Sequence, residues 1–315
     1  MTPLRTAVVG AGYLGRFHAQ KYAAHADCEL MAVVDVNLDR AKAVAKELNC
    51  QAFDNIDSLL GHVDAVSVAT PTRLHHPLGL TLLEAGLHVL IEKPMTVTEA
   101  EAESLIAAAA RHDCILQVGH LERFNPAVVA AAALIDHPLF IESHRIAPFN
   151  PRGADVSVVL DLMIHDIDLI LELVNAELVS MDASGAAVIS EDIDIANARL
   201  RFANGCVANV TASRVSPRAE RRMRVFQRNA YLSLDLQNAT LDIQRRDPEA
   251  SGPPTMAQIM HERLEPGRND ALADEIGSFV TTIQNKGQPV VTGHDGKRAL
   301  AAAIEISRQL TESTQ

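Results

Sequence analysis

Tryptophan is absent from the chain, and aromatic residues make up only 3% of its 315 positions. A core without large rings has to be packed from Ala, Val, Leu and Ile. Cysteine is scarce too: Cys28, Cys50, Cys114 and Cys206 lie far apart, with no CxxC pair and no Cys/His ligand spacing. That excludes a disulfide framework and a zinc ribbon. No uninterrupted apolar run reaches the roughly 18 residues that a membrane helix needs, and "MTPLRTAVVGAG" lacks the apolar region of a secretory signal. The net charge of −12 argues against general nucleic-acid binding, although a local basic patch remains open. Repeats and low-complexity tracts are also missing. These absences predict a soluble protein of a reducing cytoplasm, with neither nucleic acid nor membrane as a partner.

What is present falls into two rhythms. Residues 1–119 alternate short apolar runs ("TAVVG", "LMAVVD", "AVSVAT", "HVLIE", "ILQVG") with helical patterns such as "LDRAKAVAKEL" and "TEAEAESLIAAAARH". Apolar runs with little alternation belong to strands buried on both faces, as in a parallel sheet. Strand, helix, strand in repetition predicts a doubly wound α/β domain of the Rossmann type. Thr98 followed by Glu101 has capping-box spacing at a helix start. Residues 120–315 read as an α+β domain with a largely antiparallel open sheet. A helix is expected over 159–175, consecutive strands over 177–244, and helices again near 269–286 and 294–311. Asn204-Gly205 sits where a hairpin turn is needed, and "DPEASGPP" (247–254) reads as a loop.

"VVGAGYLGRFH" holds Gly10, Gly12 and Gly15 in G-x-G-x-x-G spacing. Alone the pattern is weak, but here it follows a predicted strand and opens a helix. Gly10 permits the turn, and Gly12 lets backbone approach a pyrophosphate at the helix N-terminus, around Tyr13 and Leu14. Asp35 ends the second strand, where an acid accepts from ribose hydroxyls and repels a 2′-phosphate. NAD is therefore expected over NADP, with Arg40 close enough to blur the preference.

"DLMIHDIDLILELV" (161–174) sets polar groups into an apolar run. Asp161, His165 and Asp168 are spaced four and three apart, which places them on one face of a helix. Such a His is usually a satisfied core residue. The same spacing also serves metals, but none is expected, since hydride transfer to NAD needs no metal.

Three motifs together change the weight of these readings. "ATPTRLH" (69–75), "EKP" (92–94) and "DLMIHDID" (161–168) resemble the glucose-fructose oxidoreductase / inositol dehydrogenase / MocA (Gfo/Idh/MocA) family over nearly the whole chain. The resemblance implies that Lys93, Asp161 and His165 face the nicotinamide and oxidise a sugar or cyclitol hydroxyl. It adds Thr70, Pro71, His75 and Glu92 to the cofactor side and gives Asp168 a structural role. "GHLERFNP" (119–126) and "FNPRGADVSVVLDLMIHDID" (149–168) resemble the bacterial branch that oxidises C3 of UDP-N-acetylglucosamine on the way to the 3-amino sugars of lipid A. That implies a UDP-sugar substrate, with Arg123, Asn150 and Arg152 among its contacts. A dehydrogenase of a free sugar or inositol, or a non-catalytic NAD-dependent sensor, is the competing expectation.

The chemistry of the residues agrees. Removing hydride from a secondary alcohol requires an acceptor for the hydroxyl proton, and His has a suitable resting pKa. An acid one turn away stabilises the imidazolium, and a Lys hydrogen-bonds the reacting oxygen. His165 is the preferred base and Lys93 the electrophile, although the roles are interchangeable at this level. Arg123 and Arg152 also suit ordinary surface charge. A further cluster, Arg214, Arg218, Arg221, Arg222 and Arg224, offers planar forks for a diphosphate or a basic strand for solubility. The family resemblance also implies a cis Lys93–Pro94 bond. An antiparallel sheet with too few helices to cover both faces predicts a homodimer or homotetramer.

Overall fold

The computed structural model describes residues 2–149, 157–253, 255–267 and 269–312. Two compact units emerge. The first takes the chain as far as Leu121 and then Asp270–Leu300; the second takes Glu122–Asn269 and the remainder from Ala301.

In the first unit, β1 (Leu4–Val9), β2 (Cys28–Val34), β3 (Gln51–Phe53), β4 (Ala65–Val68), β5 (His88–Glu92) and β6 (Leu116–Gly119) form one sheet in the order β3-β2-β1-β4-β5-β6. Every pair is parallel. The helices α1 (Tyr13–Ala24), α2 (Leu38–Leu48), α3 (His75–Glu84) and α4 (Glu99–Arg111) return the chain between strands. All four residues of β4 are buried, as its apolar run without alternation requires. The Thr98/Glu101 capping box forms in both directions and starts α4, a device that contributes on the order of 1 kcal/mol. Strand order reverses between β1 and β4, so the crevice beyond their carboxyl ends is the place where such sheets bind ligands.

The helix α7 (Ala271–Asn285) packs on this first unit. Its Ile276, Phe279 and Val280 share one cluster with Ala19 and Tyr22 of α1 and Val33 of β2. Periodicity predicts such a helix but not the sheet it covers, so the division at residue 119 places α7 with the other half. After α7, Val291 and Thr292 bridge to the edge strand β6, and α8 (Gly293–Glu312) begins.

The second unit holds β7 (Phe140–Ile146), β8 (Leu178–Ala186), β9 (Ile195–Phe202), β10 (Val207–Ser213), β11 (Glu220–Gln227), β12 (Ala230–Asp235), β13 (Thr240–Arg246) and β14 (Ile259–Leu264). Their order is β14-β13-β12-β11-β7-β10-β9-β8. All neighbours are antiparallel except β7 and β10, which run parallel at the centre. Gly205 has φ +87° in the turn between β9 and β10. Alternating burial along β7, β9 and β10 gives the sheet one closed and one open face. On the open face, Phe226 packs against Phe140 and Tyr231 at ring distances of 5.9 and 5.0 Å. The short α5 (Pro126–Ala132) is started by Asn125, whose side chain accepts from Ala127 N. The helix expected over 159–175 is two pieces: a π-helical turn at Val159–Met163 and then α6 (Ile164–Val174). No described helix is long and apolar enough to cross a membrane.

Candidate functional site

The first unit forms a nucleotide cradle where the sheet order reverses. Gly10 takes φ +103°, and a Cβ there would meet the Ala69 carbonyl oxygen at 2.3 Å. At Gly15 a Cβ would lie 1.7 Å from the Gly10 oxygen, so any side chain would displace the turn. Gly12 is different: a Cβ there meets nothing within 4 Å, which leaves the backbone open to a ligand. Gly12 caps α1 without a side-chain hydrogen bond. The first-turn N–H groups around Tyr13 and Leu14 therefore suit an anion, worth about 0.3–1 kcal/mol at an exposed end.

Asp35 is held from two sides. Its Oδ2 accepts from Ala11 N and its Oδ1 from Asn37 N, each at 2.8 Å. Those bonds tie the end of β2 to the glycine turn and fix the carboxylate in the lining of a cleft of about 640 Å³. Gly10, Gly12, Thr70, Pro71, Arg40 and Arg73 share that lining. Oγ1 of Thr70 is buried with no hydrogen-bond partner among the described residues, an orphan that a ligand group would satisfy. The cradle, the open Gly12 and the held acid fit a dinucleotide with a free ribose diol.

The ends of β4 and β5 meet through His75. Its Nε2 lies 2.8 Å from the Thr70 carbonyl oxygen and its Nδ1 2.9 Å from that of Pro94. A neutral ring donates to one carbonyl at a time, whereas an imidazolium donates to both. Burial, the larger effect, pushes this imidazole below its ordinary value, against the carbonyls and Glu92. Lys93–Pro94 is a cis peptide. Lys93 itself is half-buried, and its N–H donates to Glu92 Oε2 at 3.3 Å. Thr70, His75, Glu92 and Lys93 are thus joined by hydrogen bonds or by direct chain neighbours.

In the second unit, Asp161 lies in the π-helical turn and His165 in the first turn of α6, both half-buried. Asp168 does not share their environment. It is 1% exposed and accepts from Arg123 Nε at 2.6 Å and Nη2 at 3.0 Å. Arg123 also pairs with Glu172 at 2.9 Å. The arginine expected at the substrate is thus engaged with helix α6, and Asp168 takes the structural part.

A residue not singled out from sequence does comparable work. Asp166, 1% exposed, accepts from Arg145 Nε at 2.6 Å and from Ser143 Oγ at 2.9 Å. Arg145 Nη1 also donates to Glu122 Oε1 at 2.8 Å. These bonds bolt α6 to the centre of the sheet. Local sequence carries no signal for them, because β7 lies 20 residues upstream; only the run of polar residues in "ESHR" hints at a use.

The arginine cluster divides. Arg214 is buried on Asp194 at 2.9 Å, and Arg224 pairs with Glu142 at 2.8 Å across the open face. Arg221 approaches Glu122 at 3.7 Å. Arg218, Arg221 and Arg222 line a cleft of about 260 Å³ with Glu220, Asp235 and Asn238. Asn150 and Arg152 lie outside the described residues.

Comparisons with known proteins agree with this construction. Residues 4–120 match the family model "Oxidoreductase family, NAD-binding Rossmann fold", and residues 139–233 match "GFO/IDH/MocA C-terminal domain". The chain is 43% identical over 307 residues to the UDP-N-acetylglucosamine 3-dehydrogenase of Acidithiobacillus ferrooxidans, covering 97% of each chain. A solved structure of that dehydrogenase superposes with a TM-score of 0.93 at 41% identity, covering 100% of both chains. The myo-inositol 2-dehydrogenase of Thermotoga maritima is 27% identical, over 98% of this chain and 97% of its own. The chain belongs to the Gfo/Idh/MocA family of oxidoreductases and carries that family's NAD-binding Rossmann fold.

Proposed function

We propose that the protein oxidises the C3 hydroxyl of a UDP-sugar, UDP-N-acetylglucosamine to its 3-keto form, in the cytoplasm and on a route to 3-amino sugars such as those of lipid A. The observation that carries this reading is the 43% identity spread over 97% of both chains. Identity confined to the nucleotide domain would support cofactor use alone. Here it extends through the unit that carries Asp161 and His165.

NAD supplies the hydride acceptor when bound. Gly10, Gly12, Tyr13, Leu14 and Gly15 hold its pyrophosphate, and Asp35 accepts from its ribose. Thr70, Pro71, His75 and Glu92 fix the backbone near Lys93. His165 takes the hydroxyl proton as the alcohol becomes a ketone. Asp161, one turn away, stabilises the imidazolium, and the Lys93 ammonium donates to the reacting oxygen as negative charge develops on it. The buried networks of Asp166 and Asp168 keep the helix under His165 rigid.

The diphosphate falls to the arginines whose charge is least committed to a partner within the fold. Arg218 and Arg222, in their cleft with two acids, are better placed for this than Arg214 or Arg123, which are buried against carboxylates. The open face of the second sheet, with its Phe140–Phe226–Tyr231 cluster, suits a second copy of the chain, giving a homodimer or homotetramer.

The test is NADH formation with NAD and a panel of UDP-N-acetylglucosamine, UDP-glucose, free N-acetylglucosamine and myo-inositol. The UDP-acetamido sugar should win by at least about tenfold in kcat/KM, the scale of one lost polar contact. A 2-oxo acid is included in parallel, because tightly held NADH would otherwise hide turnover. A preference for the free sugar or for inositol would move the protein to the reading that its 27%-identical relative represents.

A further inference from the structure

Next to Lys93 the first unit buries three ionisable side chains in one place. His18 of α1, Glu92 of β5 and Glu275 of α7 each offer a ligand-type atom within 4.8 Å of the others. His18 and Glu275 are fully buried, and Glu92 is 9% exposed. The chain makes room for the Glu92 carboxylate with Gly119, where a Cβ would stand 3.0 Å from Oε1 and 3.1 Å from Oε2. His18 Nε2 lies 2.9 Å from Glu92 Oε1. His18 Nδ1 has no partner, so the ring is best read with its proton on Nε2, donating to Glu92. A bare lone pair costs less than a stranded N–H.

The pocket has too many acceptors. Among the described residues, neither carboxylate oxygen of Glu275 has a hydrogen-bond partner, and neither does Oε1 of Gln117, whose Nε2 donates to the Glu275 carbonyl at 3.2 Å. A fully buried carboxyl with no donor to either oxygen, this close to a second carboxylate, is held in its neutral form. Among the described residues, the basic groups beside the pair are His18, which donates to Glu92, and Lys93, which follows Glu92 in the chain; neither hydrogen-bonds Glu275. From α1, Tyr22 is a phenol bonded to Ser67 at 2.8 Å, and burial pushes it far above its ordinary value, so it stays neutral. Lys21 is engaged at 2.5 Å with Asp270 at the start of α7. His25 stands against Gly277, further along α7. From β5 come Glu92 itself and then the half-buried Lys93, and from β6 the neutral Gln117, with the buried His120 just after Gly119.

One proton removes both difficulties. We propose that Glu275 stands as a carboxylic acid in the folded protein and shares its proton with Glu92, so that an acid–carboxylate–imidazole triad holds the Glu92 carboxylate against the Lys93 peptide. Glu275 is then a positioning residue, acting on Lys93 through Glu92. Burial first, and the Glu92 charge second, push the Glu275 carboxyl well above its ordinary value, in the same direction as the geometry. The triad is independent of the substrate, so its infrared and unfolding tests are independent too.

The experiment uses the full-length protein and two variants, Glu275→Gln and Glu275→Leu. Infrared spectra at neutral pH should show a protonated-carboxyl C=O band in the unmodified protein that Glu275→Gln lacks. Urea unfolding across pH 5 to 8 adds the linkage. Glu275 keeps its proton when folded and loses it when unfolded above its ordinary value, so stability falls as pH rises. Relative to Glu275→Gln, the folding constant of the unmodified protein should drop by about tenfold per pH unit until the folded acid itself ionises. Glu275→Leu, which removes the donor, should lower kcat by about tenfold with NAD affinity unchanged, and the amide of Glu275→Gln should restore it. Absence of the band in the unmodified protein overturns the proposal even if a variant fails to fold. Parallel pH curves overturn it as well, as does a stoichiometric divalent metal in the purified protein that the variants lose, since His and two Glu would then be its ligands.

Discussion

Replacing Asp166 with Ala removes the acceptor that joins α6 to β7. Three hydrogen bonds go at once: two from Arg145, at 2.6 and 3.3 Å, and one from Ser143, at 2.9 Å. Arg145 is 3% exposed. Burial works against its charge, and Asp166 and Glu122 together more than offset that in the intact protein. In the variant the guanidinium keeps Glu122 alone and cannot reach water to recover the rest. Removing one member of a buried ion pair costs about 3–5 kcal/mol. At about 2–4 °C per kcal/mol for a domain of this size, the melting temperature of the second unit should fall by roughly 6–20 °C. Differential scanning calorimetry reads this directly, with Glu172→Ala as control. Glu172 pairs with Arg123 from an exposed position, and its loss should cost less than about 1 kcal/mol. Glu172→Ala as damaging as Asp166→Ala, or an Asp166→Ala loss below about 1 kcal/mol, would refute the reasoning that this buried network anchors the helix.

Other perturbations address the site itself. Asp35→Ala should weaken NAD binding and relax discrimination against NADP, because it removes the ribose acceptor and the brace on Ala11 and Asn37; titration with both cofactors checks this, and tighter NADP binding by the unmodified protein would refute it. His165→Asn should keep NAD affinity while lowering turnover by roughly 10² or more, and Lys93→Met should do the same; near-normal turnover in either variant removes that residue from the mechanism. Arg218→Ala and Arg222→Ala should raise the KM for the UDP-sugar with NAD affinity unchanged, and unchanged steady-state kinetics in both would release the cleft from the diphosphate role.

Much of this was readable before any coordinates, and the reasons are local. Gly10, Gly12, Gly15 and Asp35 are fixed by a short turn and the strand beside it, so spacing alone locates them. The buried parallel strands announce themselves as apolar runs, and Thr98 with Glu101 marks its own helix. What escaped is non-local. In β7, Ser143 and Arg145 point inward to Asp166, so the inner face carries polar residues where a strand pattern needs apolar ones. β3 is three residues long, and β14 is an edge strand exposed over most of its length, so neither carries an apolar pattern. Arg123 sits in the stretch "GHLERFNP", yet its partner Asp168 is 45 residues away. Asp161, His165 and Asp168 were expected on one face. Burial and the pairing with Arg123 distinguish the third from the half-buried other two, while the π-helical turn holds Asp161 and ends before His165. Glu275 gives no sequence signal, because its meaning depends on Glu92 and His18 meeting it from two other elements.

The proposed reaction moves hydride from C3 of a UDP-sugar to NAD. UDP-N-acetylglucosamine carrying deuterium at C3 tests it most directly. The deuterium should appear in the reduced nicotinamide, a primary isotope effect should slow the first turnover, and His165→Asn should deliver the same label roughly 10²-fold more slowly with the isotope effect retained. Deuterium retained on the sugar while NADH forms, or transfer that proceeds equally well from another ring carbon, would contradict it.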